Sequence, residues 1–329
     1  MTKLGTQLCP WLLPTLAQLE TALSHGRLGH AWLLAGPIGS GKINLALVFA
    51  NRLLAGKASS PPPELGPRDF VAAMRERHAP ADHHPDLHWL FPEEDKRTIS
   101  IEQIRAVSEA VALKPFAGTA KVVIIEPADE MTGAASNALL KTLEEPAGDT
   151  FILLVTHQPE RLPATIRSRC QRLAVPRPTL TQLESWVGSP DVSASWLATG
   201  GSPLLVADHL NSIDTISLES QLLLISQDKI DPQAVADTWL KQNCELALGW
   251  LLRRIQLSLR ARLAPRASTV VTDLGSDALH NAWATLTLGT LFAQHQSAEM
   301  LLNQLGSGIN VELALRALLL GFQPQRGQL

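Results

Sequence analysis

With 329 residues, 45% of them hydrophobic, and a slightly positive mean hydropathy, the chain is long enough for two or three domains and apolar enough to bury substantial cores. A formal net charge of −3 without any block of Lys or Arg argues against strong autonomous binding to nucleic acid. Three widely spaced cysteines, Cys9, Cys170 and Cys244, offer no Cys-x-x-Cys metal pair and suit a reducing compartment, each expected as a small buried apolar residue.

At the N-terminal end Pro10 and Pro14 interrupt the apolar residues, so no signal segment is expected. No later apolar run is long enough to span a bilayer, so the expectation is a cytoplasmic protein with no membrane partner. From Leu16 to about Ala174 strand-like apolar runs alternate with helical patterns, which predicts an α/β domain with a parallel sheet flanked by helices. The predicted strands are Ala31–Ala35, Leu87–Phe91, Val122–Glu126, Phe151–Thr156 and Gln171–Val175.

Between the first strand and a helix predicted from Ile43 to Leu54 lies Gly36-Pro37-Ile38-Gly39-Ser40-Gly41-Lys42-Ile43. It matches a phosphate-binding loop at every position except the last. In such a loop backbone N–H groups cradle the phosphates and the lysine reaches the β and γ phosphates. Gly36, Gly39, Gly41 and Lys42 are therefore the candidate nucleotide-binding residues. Ile43 occupies the position whose Ser or Thr hydroxyl would ligate Mg²⁺, and it has no oxygen to offer.

Ala55 to Pro85, with Ser59-Ser60-Pro61-Pro62-Pro63 and several histidines, reads as a loop or variable insertion. His78, His83, His84 and His88 with Asp82 and Asp86 could ligate zinc, but without helix-fixed spacing a solvated loop is the favoured reading, and no metal is expected. The third strand delivers Glu126 to the position of a metal-holding carboxylate, while Pro127 stands where a water-activating carboxylate would be. Asp129 and Glu130 follow within one turn and are read as favouring a helix N-terminus. Thr156, at the end of a later strand, is a candidate polar sensor of phosphate.

Two prolines in Val175-Pro176-Arg177-Pro178-Thr179 disfavour both helix and ladder pairing and predict a domain boundary. Beyond it strand character is lost, giving a small helical piece and then a helical bundle. There, Ala234 to Leu263 and Val311 to Leu320 carry apolar helical stripes. The expected division is 1–175, 176–212 and 213–329.

The segment from Ala135 to Pro146, Ala-Ser-Asn-Ala-Leu-Leu-Lys-Thr-Leu-Glu-Glu-Pro, closely resembles the signature of bacterial clamp-loader AAA+ subunits. Ser168-Arg169-Cys170 resembles the Ser-Arg-Cys motif of the same family, and Gly29-His30-Ala31, Ile101 to Arg105 and Leu153 to Thr156 fall in the family's order. The resemblance implies an AAA+ P-loop domain, a small helical lid and a C-terminal helical collar that joins a ring. It implies for Arg169 a catalytic role in trans, reaching the γ phosphate of ATP on a neighbouring subunit, so that hydrolysis depends on assembly. Arg167 is the structural residue of the pair. The family's second sensor, an arginine after a Gly-Ser turn, is missing, because Gly200-Gly201-Ser202-Pro203 is followed by Leu204 and Leu205. The family's four-cysteine zinc module is missing too.

Ile43, Pro127 and Leu204 together thus point away from intrinsic ATPase activity, with no cofactor required and residual nucleotide binding left open. The implied work is that of a non-hydrolysing clamp-loader subunit in a DNA polymerase III assembly, whose DNA-directed DNA polymerase (nucleotidyltransferase) activity resides elsewhere. The implied partners are gamma or tau motor subunits, a delta subunit and, through the assembly, the sliding clamp and primer-template DNA. Two rivals remain: an active motor, resting on Lys42 and Glu126, and a freestanding nucleic-acid-binding module, resting on Arg161, Arg167, Arg169 and Arg172.

Overall fold

A computed structural model describes residues 3–55, 60–75, 84–93, 96–116, 120–188, 192, 196, 199, 201–209, 215–263, 277–305 and 310–324. The chain divides into two compact units, Met1–Val187 with Ser202–Ala207, and Gly188–Gly201 with Asp208–Leu329.

The first unit is built on five strands, β1 (Ala31–Ala35), β2 (Leu87–Leu90), β3 (Lys121–Ile125), β4 (Thr150–Thr156) and β5 (Gln171–Ala174). All pair in parallel, in the order β2-β3-β4-β1-β5. Central strands of a parallel sheet are covered on both faces, so β1, β3 and β4 are apolar without alternation. On one face α5 (Ile101–Ala112) and α6 (Gly133–Glu144) bring Ile104, Val107, Leu139 and Leu143 onto Val123, Ile125, Ile152 and Leu154. On the other, α3 (Lys42–Ala55) lies against β1, β3 and β4 and is buried along nearly its whole length.

Local chemistry sets these helix ends. Ser100 and Gln103 form a reciprocal capping box at the start of α5, and Thr132 caps α6 by accepting from Ala135 N. Lys121, buried at the head of β3, donates to the carbonyls of Ala110 and Val111 at the end of α5, where a cation complements the helix dipole.

Part of the stretch expected as a loop is structured. Pro67–Arg75 is a helix, α4, opened by proline at its first position. Leu65 just before it and Phe70 within it are fully buried. Trp186, on α8 (Leu180–Val187), meets Trp11 edge-on with ring centroids 4.9 Å apart, lies 5.9 Å from Phe70 and donates its indole N–H to Leu65 O. Helix α8, which the expected division gives to the small helical piece, therefore packs with the sheet unit. The first turn of α9 (Pro203–His209) counts with that unit as well.

The second unit is helical: α10 (Thr215–Ser226), α11 (Pro232–Lys241), α12 (Cys244–Leu263), α13 (Asp277–Trp283), α14 (Leu288–Gln304) and α15 (Val311–Leu320). Trp239, Trp250 and Trp283 anchor its core, with Trp283 stacked on Phe322. The apolar stripe from Ala234 to Leu263 is not one helix. It breaks at Gln242 and Asn243, where the Asn243 side chain accepts from Leu246 N and starts α12. Among the described residues no helix is long and apolar enough to cross a membrane.

Candidate functional site

The phosphate-type loop leaves the C-terminal end of β1, a position where open α/β sheets hold their ligands. Its first residue is tied to the neighbouring strand, Gly36 N donating to Thr156 O at 3.3 Å. A Cβ on Gly36 would lie 2.4 Å from Val175 O, so only glycine fits. Gly39 has a φ of +70°, and a Cβ there would come within 2.0 Å of Ser202 Oγ. Gly41 O accepts from Leu45 N and opens α3.

The cleft beside the loop, about 200 Å³, brings together Gly39, Gly41, Lys42, Ile43, Glu126 and Thr156. Leu204 also lines it, and Leu204 N donates to Gly39 O at 3.3 Å. An apolar side chain thus stands over the loop where the family resemblance calls for an arginine.

Lys42 is turned onto its own loop, donating to Gly36 O at 2.9 Å and Pro37 O at 2.6 Å. Burial lowers its pKa to about 8, and the nearby charges of Glu126 and Asp129 oppose that shift only in part. Ile43 is buried, so the metal position is filled by hydrocarbon. The residues present do not fit a Mg²⁺ ion held in the usual manner of such a loop, since its hydroxyl ligand is replaced by an alkyl group.

Asp129 is the residue that the sequence did not reveal. It is buried in the first turn of a three-residue 3₁₀ helix, Ala128–Glu130, ahead of α6, which begins at Gly133. Its carboxylate accepts the Thr156 hydroxyl at 2.5 Å and lies 3.4 Å from His157 Nδ1. Glu130 is likewise turned to a side chain, pairing with Arg161 at 3.0 Å. Both acids thus lie in a helix's first turn, as expected, and each is also engaged by side chains. The Thr156 hydroxyl, the candidate phosphate sensor, is engaged with Asp129 and also accepts from Gln158 N.

The other end of β1 holds a second cluster. His30 Nε2 donates to Leu143 O at 2.7 Å, Gln171 packs on Gly29, and Arg169 donates through Nε to Glu144 Oε1 at 2.7 Å. Arg169 Nη2 also pairs with Glu144 Oε1, and Nη1 donates to Thr165 O at 3.0 Å. Three motif segments distant in sequence thus converge on one exposed edge. Five residues of strand, roughly 17 Å at the usual rise, separate this edge from the chain's own loop.

Of the arginines singled out for nucleic acid, Arg161 and Arg169 are paired with acids and Arg167 is half-buried. Cys9 and Cys170 are buried free thiols; burial pushes Cys170 up to about 11 and Cys9 higher still, which leaves both unreactive. His78, Asp82 and His83 lie outside the described residues; Asp86 accepts from Phe116 N at 2.6 Å. Among the described residues no three His, Cys, Asp or Glu gather as a metal site.

Residues 13–179 match the family described as DNA polymerase III, delta subunit. The chain is similar to DNA polymerase III subunit delta' of Pseudomonas aeruginosa, 35% identical over 254 residues that cover 73% of this chain and 74% of that one. It is similar to DNA polymerase III subunit delta' of Haemophilus influenzae at 29% identity over 322 residues, 94% of this chain and 95% of that protein. It is also similar to DNA polymerase III subunit tau of Bacillus subtilis, 30% identical over 236 residues, 68% of this chain and 39% of tau. The family match takes in both ends of β1.

Proposed function

The chain belongs to the DNA polymerase III delta' family, and from that premise we propose that it is a non-hydrolysing subunit of the replicative clamp loader that supplies Arg169 to ATP held by a neighbouring subunit. One observation carries the reading: Arg169 is on an exposed edge at the N-terminal end of β1, while the chain's own loop follows the C-terminal end. A side chain does not bridge roughly 17 Å, which supports a phosphate partner on another chain and argues against the chain's own loop. A guanidinium supplied across an interface stabilises charge on the transferring phosphoryl group and makes hydrolysis conditional on assembly.

The chain's own cleft supports the second half of the proposal. Lys42 is satisfied by loop carbonyls, Ile43 gives no metal ligand, Pro127 replaces a base and Leu204 replaces a cation. We read 1–175 as the AAA+ domain, 176–212 as the lid and 213–329 as the oligomerisation collar. The partners proposed are gamma or tau, delta, and through them the sliding clamp and primer-template DNA. No cofactor is required by this mechanism, and residual nucleotide binding would be structural.

The test is reconstitution with tau and delta. Arg169→Ala is expected to leave the complex intact by size-exclusion chromatography while slowing the ATP site it faces by about 10³-fold or more. Total turnover should fall by the share of that site. Unchanged turnover in an intact complex would remove Arg169 from the neighbour's site.

A further inference from the structure

We infer that Glu144 is a positioning residue for Arg169, holding the guanidinium so that one N–H on each terminal nitrogen points outward as a fork for a phosphate. The inference rests on the reading that Arg169 acts on a neighbour's nucleotide. A guanidinium carries five N–H donors in one plane. Nε–H donates to Glu144 Oε1, Nη2 lies against the same oxygen in the ion pair, and Nη1 donates to Thr165 O. With Nε and one side of each terminal nitrogen held in this way, Nη1 and Nη2 each keep a donor, the pair that matches two oxygens of a phosphate.

The holder is itself fixed. Glu144 is the last residue of α6, Leu143 before it is buried in the sheet core, and His30 ties down Leu143 O. The carboxylate is half-exposed, as is the arginine, so the pair lies at the surface where a second chain can reach it. An exposed pair contributes little to stability. Its geometry instead removes rotamer freedom from a long side chain before any phosphate arrives, which lowers the cost of reaching the reactive arrangement.

A parking role would work the opposite way: if Glu144 only sequestered the charge, removing it would release Arg169 and speed hydrolysis. Steady-state ATP turnover of the loader reconstituted with full-length chain separates the two, using Glu144→Ala, Glu144→Gln, Arg169→Ala and the double variant. Glu144→Ala is expected to lower kcat at the affected site by about tenfold with KM for ATP little changed. Glu144→Gln, which keeps an acceptor oxygen, should recover part of the loss. In the Arg169→Ala background, Glu144→Ala should have no further effect. Unchanged or faster turnover in Glu144→Ala, with Arg169→Ala slow, would overturn the role of Glu144 alone. An equal loss in the Arg169→Ala background would also overturn it, since the effect would not run through the arginine. If Arg169→Ala itself is silent, it is the trans reading that fails.

Discussion

Burial of the Lys42 ammonium brings its pKa down to about 8, below the 10.5 of a free lysine. Between those two values the unfolded chain binds more protons than the folded one, so stability rises with pH across that interval and the lysine's contribution is least favourable near neutrality. Comparison with Lys42→Met isolates this effect: the stability of the wild type relative to the variant should grow from pH about 7.5 to about 10, by up to ~3 kcal/mol. Melting curves of both proteins across that range check it, and a flat difference would contradict the desolvation. At this scale the sequence exposed the loop, since its glycines and lysine have a fixed spacing. It hid Asp129 and Glu144, because their partners, Thr156 and Arg169, are 27 and 25 residues away and only the folded sheet brings them together.

The strands were legible because a parallel sheet buries both faces and leaves uninterrupted apolar runs. The expected strand Ala31–Ala35 matches β1 to the residue, whereas β3 begins one residue earlier and ends one earlier than the expected Val122–Glu126. Lys121 and Glu126 both make ladder-like bonds at the margin, to Asp149 O and Leu90 O, so polarity misled at one end and invited extension at the other. Helix α4 was not legible, as its helical pattern lies in a stretch opened by Pro61-Pro62-Pro63, and only Phe70 among its residues is buried. Trp186 ties α8 to that region, so Trp186→Ala should cost about 3–5 kcal/mol of stability. Urea unfolding followed by far-ultraviolet circular dichroism measures it; a loss below about 1 kcal/mol would mean that the Trp11–Phe70–Trp186 cluster is not part of the cooperative core.

Considered whole, the molecule has a sheet unit whose phosphate-type loop is lined by Ile43 and Leu204, and a helical unit organised around three buried tryptophans. The isolated chain should therefore hydrolyse ATP only at background rate, and adding it to purified tau and delta should raise their turnover. A coupled phosphate-release assay decides this, and hydrolysis by the chain alone that Lys42→Ala abolishes would favour a motor of its own. The helical unit was recognisable by its 3.6-residue stripes, but the break at Asn243 was not, since a polar pair inside a stripe is also what a continuous helix shows on its outer face.

The strand order carries a consequence for synthesis. Strand β1 pairs with β4 and β5, and Ala31 meets its partner Ile152 only after 121 further residues have been made. At elongation rates of about 5–20 residues per second, the apolar Ala-Trp-Leu-Leu-Ala segment waits roughly 6–24 s before its ladder can close. During that interval it is an unpaired apolar strand, so residues 31–35 of the nascent chain should be open to wrong pairing until β4 and β5 have been made.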